Sequence, residues 1–275
     1  MLVKNVENKG QFFYPSDLSL NRKDGVSAIV RIKNEDEFII PSLLSTQDFF
    51  DEFIIILNKC TDKTEELLRL LNLPNAKIYY YNEDVVPAGP ESLGLDANSV
   101  NHIVYYTNYC ISLSNNNWIY RWDADHIATS VFFDLKHLIK SDKYTSIEDR
   151  GFDIVGPQCN MLGSQQMCSF EKRLVKIVSG FKYVISPSRM SEMPNSCGLS
   201  YRIEDPTFLH LKWCSKNAGR KWAKNWEAIP HFKSIKERHD PVSPYNGEIP
   251  DILKLYLDLN KDPYKLIDLY HKGKI

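Results

Sequence analysis

Apolar positions in the first half of the chain fall into short runs of strand length, separated by stretches with helical spacing. Val26-Ser27-Ala28-Ile29-Val30-Arg31-Ile32 is a β-branched run and predicts a first buried strand. Lys33–Glu37 breaks the pattern, and Phe38–Ser45 reads as a short helix interrupted by Pro41. Glu52–Leu57 is almost wholly apolar, as suits a strand covered on both faces. Asp62 and Glu65 stand at capping-box spacing for a helix over Lys63–Leu71, and Pro74 closes it. Lys77–Tyr81 predicts a third strand. Glu83–Asn98, with Pro87, Gly89, Pro90 and Gly94, predicts a long loop of lid or binding type. Val100–Leu113 predicts a helix, and Trp118–Trp122 a fourth strand that ends at Asp123-Ala124-Asp125.

The second half is less regular. Strands are expected at Asp153–Gly156, Phe181–Ile185 and Phe208–Trp213, a helix at Phe170–Val178, and helical spacing over Asp251–Tyr270 divided by Pro263. Alternating strands and helices predict an α/β fold with a mostly parallel sheet wrapped by helices. Ligands in such sheets bind beyond the carboxyl ends of the strands. The polar clusters Arg31–Glu35, Asn58–Thr61 and Asp123–His126 all belong at that rim.

Composition narrows the class. The chain has 275 residues, 43% hydrophobic and 25% charged, which excludes a disordered, collagen-like or multi-span membrane protein. With 34 basic and 35 acidic residues the net charge is −1, so no global field attracts nucleic acid and any anion site is local. Six cysteines without a C-x-x-C pair argue against a zinc ribbon and for free thiols in a reducing compartment. Met1–Asp24 is polar and lacks the apolar core of a signal peptide, and the longest apolar runs are too short to span a bilayer. A cytoplasmic protein is expected.

Asp123-x-Asp125 carries the most chemistry. Two carboxylates one residue apart at the end of a buried strand suit a hard divalent cation that also binds diphosphate oxygens. A solvated loop with two acids is the bland alternative, but carboxylates closing so apolar a run are costly without partners.

Four segments together resemble the GT-A fold glycosyltransferases, specifically the large family-2 group with its lipopolysaccharide-core and capsule type members. Val26–Glu35 is similar to the first strand and nucleotide-binding loop, and Ile54–Thr64 to the second strand and its turn. Asn108 lies 15 positions before Asp123, as the helix asparagine does in that family. Trp118–Asp125 matches the strand that delivers the metal-binding acids. The resemblance covers residues 26–127 and fades beyond them.

It implies a GT-A, Rossmann-like domain over 26–213, split into a nucleotide-sugar-binding half (26–127) and an acceptor half (128–213). A lead-in (1–25) precedes it and a basic, helical extension (214–275) follows. It implies a nucleotide-sugar donor, UDP-linked first, an Mn²⁺ or Mg²⁺ ion on the diphosphate, and an inverting transfer to a glycan or lipid-linked acceptor in cell-surface polysaccharide synthesis. Arg31, Asn34, Glu35, Asn58, Asn108 and Asp123 would contact the donor nucleotide. Asp123, Asp125 and His210 would hold the metal, with Asp125 the direct catalytic ligand. Two departures stand out: Asn58 occupies a turn position where the family often has an acid, and Thr107 one where it commonly has arginine.

His210, in Phe208-Leu209-His210-Leu211-Lys212, resembles a late metal-binding histidine; a packed strand histidine is the alternative. Glu192, after the Phe181–Ile185 run, is the candidate general base, with Glu204 and Asp205 as rivals. Lys212–His239 interleaves cations with Trp213, Trp222 and Trp226, a pattern for peripheral contact with an anionic membrane or lipid-linked acceptor. The same pattern serves nucleic acid binding or a plain basic surface. A nucleotidyltransferase of related fold and a non-catalytic nucleotide- or sugar-binding module are the rival functions. The first usually needs a glycine-rich, lysine-bearing loop after the first strand, and Arg31–Glu35 contains no glycine.

Overall fold

The computed structural model describes residues 11–155, 163–186, 191–195, 198–214, 245 and 247–275, with backbone alone for Val155, 163–167 and Trp213. The basic tryptophan segment beyond Cys214 lies outside the described residues up to residue 244, and so does the membrane contact expected of it.

Strands β1 (Lys23–Ile32), β2 (Glu52–Leu57), β3 (Ala76–Tyr80) and β4 (Asn116–Arg121) form the first half of the sheet. Helices α1 (Ile39–Leu44), α2 (Thr64–Leu71), α3 (Pro90–Leu93) and α4 (Ile103–Ser112) connect them. The second half adds β5 (His126–Ala128), a 3₁₀ turn at Ser130–Asp134, α5 (Leu135–Lys140), β6 (Ser146–Asp149) and β7 (Gly151–Val155). It continues with β8 (Gly163–Met167), β9 (Glu171–Lys176), β10 (Tyr183–Ser186), β11 (Ser191–Pro194), β12 (Ser200–Arg202) and β13 (Phe208–Trp213). Helices α6 (Asp251–Asp258) and α7 (Pro263–His271) end the chain.

The result is a mixed α/β fold whose central seven-stranded sheet runs β12-β6-β9-β4-β1-β2-β3 and is mostly parallel. The antiparallel pairings are those of β9 with β4 and β6. Alternation along the strands feeds two cores. Val26, Ala28 and Val30 face one side with Phe53, Ile55 and Leu57, against Ile39, Leu43, Leu67 and Leu71. Ile29, Ile54 and Ile56 face the other, with Tyr106, Cys110 and Ile111 of α4. Full burial of each such aliphatic side chain contributes roughly 1.5–3 kcal/mol, so a sheet covered on both faces is the low-energy arrangement. Leu253, Tyr256, Leu266 and Ile267 of α6 and α7 join the first of these cores.

Three expectations are corrected. Phe170–Val178 is not a helix but contains β9. Leu174 packs into one core and Val175 into the other, which consecutive residues of a strand can do. Neighbours on both sides supply the pairing that local propensity does not predict. Pro41 does not interrupt α1, because it lies in the first turn after Phe38, where no N–H is needed. The capping box does not close: Asp62 accepts from the Thr64 amide at 3.0 Å, but Glu65 turns to Arg69 and Tyr80. The break at Pro263 is observed, with the Asp262 side chain capping α7.

A four-stranded sheet, β5-β13-β7-β8, lies beside the rim, and β10 and β11 form a hairpin. Arg150 alone separates β6 from β7, so the chain passes there from the central sheet to the small one.

Candidate active site

β4 delivers Asp123 and Asp125 where its pairing ends, and the turn is pinned on several sides. The Trp122 amide donates to Ile29 at 3.1 Å, the Ser42 hydroxyl to the Asp123 carbonyl at 3.3 Å, and the Leu211 amide to the Asp125 carbonyl at 2.9 Å. The small sheet then supplies its own row. In the registers of β5, β13 and β7, His126 stands opposite His210, and His210 opposite Asp153. Phe208 lies flat on the His126 ring, with centroids 3.9 Å apart and planes at 15°. Gly151 makes room, since a Cβ there would come within 2.3 Å of the Phe208 ring.

His210 is the hub of this row. Its Nδ1 is 2.6 Å from Asp153 Oδ1 and its Nε2 is 3.4 Å from Asp125 Oδ2. The Cys168 thiol donates to the same Asp153 oxygen at 3.4 Å. Burial disfavours the imidazolium, but Asp125 and Asp153 outweigh it and hold His210 well above the usual histidine range. His126 behaves oppositely: it is wholly buried, and burial pushes it down to about 3, so it is neutral. Among the described residues neither ring nitrogen of His126 has a hydrogen-bond partner, although Nε2 approaches Asp123 Oδ2 to 3.5 Å.

Donor atoms of Asp125, His126 and His210 lie within 4.8 Å of one another, and so do those of Asp153, Cys168 and His210. Burial works against ionised Asp123 and Asp125, but Arg173 and His210 respectively hold these carboxyls well below the usual carboxylate range. Both acids are therefore anionic at neutral pH. A divalent cation fits this set: it would give the orphaned His126 nitrogen a partner and meet the Asp125 carboxylate. Imidazole donors suit Mn²⁺ better than Mg²⁺.

A second charged cluster lies beside the first. Glu192, from the β10–β11 hairpin, takes Arg31 at 2.5 Å and Arg121 at 2.8 Å, and the Thr107 hydroxyl bonds its other oxygen. Glu171 takes Arg121 and Arg173, each at 3.2 Å, and Arg173 continues to Asp123 at 2.8 Å. Burial raises the Glu192 carboxyl, but the two guanidiniums more than reverse that and leave it below the usual range.

The other expected residues divide clearly. Asn34, with positive φ, accepts from the Thr61 amide at 2.7 Å, and Thr64 Oγ1 accepts from the Glu35 amide at 2.8 Å, so the first two rim loops are tied together. Asn58 donates to the carbonyls of Tyr81 and Glu83, each at 2.8 Å. Asn108 is buried and pairs both ways with the backbone of Tyr183, locking α4 to β10. Glu204 and Asp205 are exposed. Arg31 and Glu192 meet each other.

Sequence reading missed His126, Asp153, Cys168, Arg121 and Arg173. His126 follows Asp125 directly and was open to notice. Asp153 and Cys168 carry no local signal, because the pairing of β7 with β13 and β8 brings them in.

No family model and no curated protein matches the sequence. Among solved structures, residues 1–349 of S. aureus TarS are 13% identical, with a TM-score of 0.44, over 68% of this chain and 60% of that one. A longer S. aureus TarS is 12% identical at 0.44, over 68% and 36%. 4-diphosphocytidyl-2C-methyl-D-erythritol synthase from Anaerococcus prevotii is 12% identical at 0.29, over 87% and 84%. The chain thus spans less than two thirds of either TarS chain, and identities this low leave function to be argued from the site. No helix among the described residues is long and apolar enough to cross a membrane.

Proposed function

We propose that the protein is a metal-dependent glycosyltransferase. It moves a sugar from a nucleotide-sugar donor, UDP-linked first, to a hydroxyl of a glycan or glycolipid acceptor in cell-surface polysaccharide synthesis. The observation that carries this reading is the convergence of Asp125, His126 and His210 donor atoms within 4.8 Å, beside Asp123 and at the carboxyl end of β4. Mn²⁺ or Mg²⁺ would be held by Asp125 and His210, with His126 added to the expected set and Asp123 on its flank. When bound, the ion would supply neutralisation of the charge that builds on the departing nucleoside diphosphate.

The residues of the chain do the rest. Asn34 and Glu35, on loops already tied to the second strand's turn, face the donor nucleoside. Asn58 and Asn108 shape that subsite by holding backbone.

Arg173 keeps Asp123 ionised. An inverting transfer needs a proton acceptor at the acceptor hydroxyl. Glu192 suits that role poorly, because both its oxygens are bonded and two guanidiniums hold its proton affinity down. We therefore assign it to holding Arg31 and Arg121.

The test is calorimetry of the full chain with nucleotide sugars, with and without Mn²⁺. A UDP-sugar is expected to bind only with the ion and, at about 100 times its dissociation constant, to stabilise the fold by roughly 2.7 kcal/mol. Asp125→Ala is expected to lose that binding while its circular dichroism remains that of a folded chain. Donor binding by Asp125→Ala equal to that of the parent would overturn the metal assignment.

A further inference from the structure

The row across the small sheet contains more than a set of ligands. His210 uses its two nitrogens on different carboxylates: Nε2 faces Asp125 at 3.4 Å and Nδ1 faces Asp153 at 2.6 Å. The contact to Asp153 is the shorter, and strand pairing fixes it, because His210 and Asp153 are partners in the β13–β7 register. The Cys168 thiol donates to the same Asp153 oxygen at 3.4 Å. Asp153 is itself largely shielded, with 13% of its side chain exposed. Its carboxylate is thus positioned to hold the proton of Nδ1.

We infer that Asp153 is a positioning residue for His210: it fixes the proton on Nδ1, so that a cation beside Asp125 displaces the Nε2 proton to solvent and meets the lone pair left on Nε2. Resting on the cation reading above, the inference gives a role to a buried acid outside the expected ligand set. The physical reason is general. A ligating imidazole must offer one lone pair, and a carboxylate on its other nitrogen selects the tautomer, fixes the ring plane and raises the basicity of the ligating nitrogen. Cys168 belongs to the same device, since its hydrogen bond helps hold the carboxylate in place.

The experiment titrates Mn²⁺ into the full chain and follows free Mn²⁺ by electron paramagnetic resonance. Asp153→Asn is expected to weaken Mn²⁺ affinity about 10–100-fold. Asp153→Asn combined with His210→Ala is expected to bind no more weakly than His210→Ala alone, because Asp153 acts through the imidazole. Unchanged affinity in Asp153→Asn, or fully additive losses in the double variant, would overturn the inference.

Histidine ¹⁵N spectra of the metal-free chain give a readout independent of any ion. The His210 Nδ1 proton is expected far downfield in the parent and lost from that position in Asp153→Asn. Its persistence would overturn the inference. If the parent binds no Mn²⁺, the cation reading falls, and the spectra alone decide whether Asp153 holds His210.

Replacing Mn²⁺ by Co²⁺ adds a third check. A thiolate charge-transfer band that disappears in Cys168→Ser would make Cys168, Asp153 and Nδ1 the ligands themselves and overturn the positioning role. Should Asp153→Asn fail to fold, Asp153→Glu keeps the charge while moving the acceptor by one methylene. It is expected to lose affinity to a smaller extent, and parental affinity there would count against the inference.

Discussion

Two clusters of ionisable groups lie side by side at the rim of the central sheet, and they are built on opposite principles. In the first, Arg31, Arg121 and Arg173 alternate with Glu192, Glu171 and Asp123, so that cation meets anion along its length. In the second, His126, His210 and Asp153 stand in one row with Asp125 alongside, and the wholly buried His126 imidazole has no hydrogen-bond partner among the described residues. A cluster in which each carboxylate already meets a guanidinium has little left to offer a cation. A cluster that leaves a nitrogen unsatisfied beside ionised carboxylates is under-coordinated without a cation. The difference teaches that dense charge is not itself the sign of a cation site: the Nε atoms of Arg121 and Arg173 also lack partners among the described residues, but they can only donate, whereas the His126 ring offers a lone pair. Asp123 belongs to both clusters, through Arg173 on one side and His126 on the other.

The largest expected effect breaks the closed cluster. Glu192→Ala leaves Arg31 and Arg121 buried without their shared carboxylate, and removing one partner of a buried pair costs about 3–5 kcal/mol. Urea unfolding is expected to show that loss, with Glu192→Gln, which keeps an acceptor, losing less. A loss below about 1 kcal/mol, the worth of an exposed pair, would show that the cluster is not closed in solution.

A middle-sized effect comes from Asp149, at the crossover between the two sheets. It is buried, bonded to the Tyr120 and Thr207 hydroxyls, and pushed by burial up to about 6 from an ordinary 3.8. A carboxyl raised in the folded state binds its proton more tightly there than in the unfolded chain. Its contribution to stability is therefore full below about pH 4 and declines as pH rises through about 6, by roughly 1.4 kcal/mol per pH unit within that window. Asp149→Asn is expected to remove this slope. Melting curves of parent and variant should diverge in the variant's favour between about pH 4 and pH 7. Parallel curves would show that Asp149 titrates normally.

The smallest effect on stability is expected in the open row. His126→Phe keeps a ring to stack on Phe208 and removes two unsatisfied buried nitrogens. Replacing such a group by an apolar one of similar shape is close to neutral, within about 1 kcal/mol. Mn²⁺ affinity is expected to fall in the same variant. A large drop in melting temperature with parental Mn²⁺ affinity would make His126 an ordinary core residue and erase the contrast between the clusters.

Much of the frame was legible because it is local. The β-branched run at Val26–Ile32, the apolar run at Glu52–Leu57 and the strand ending at Asp123 all form where the pattern places them, within a few residues. The D-x-D pair was legible for the same reason: a strand end and two acids are adjacent in sequence. β9 was not, since Glu171-Lys172-Arg173-Leu174-Val175-Lys176 has no strong local preference and becomes a strand by pairing with β4 and β6. Asn58 and Asn108 were readable as polar residues in the right loop and helix, yet their amides hold backbone groups that only the folded chain brings near.

The sequence by itself determined the α/β alternation, the first strands and the acids at the end of β4, because strand runs, breaks and turn residues act over a few neighbours. Tertiary structure alone decided which histidine meets which carboxylate. His210 lies 57 positions from Asp153 and 85 from Asp125, and strand register, not spacing along the chain, sets those contacts. It also decided that Glu192 would spend its charge on two arginines, because desolvation leaves a buried carboxylate no cheaper partner than the guanidiniums that the sheet already holds there.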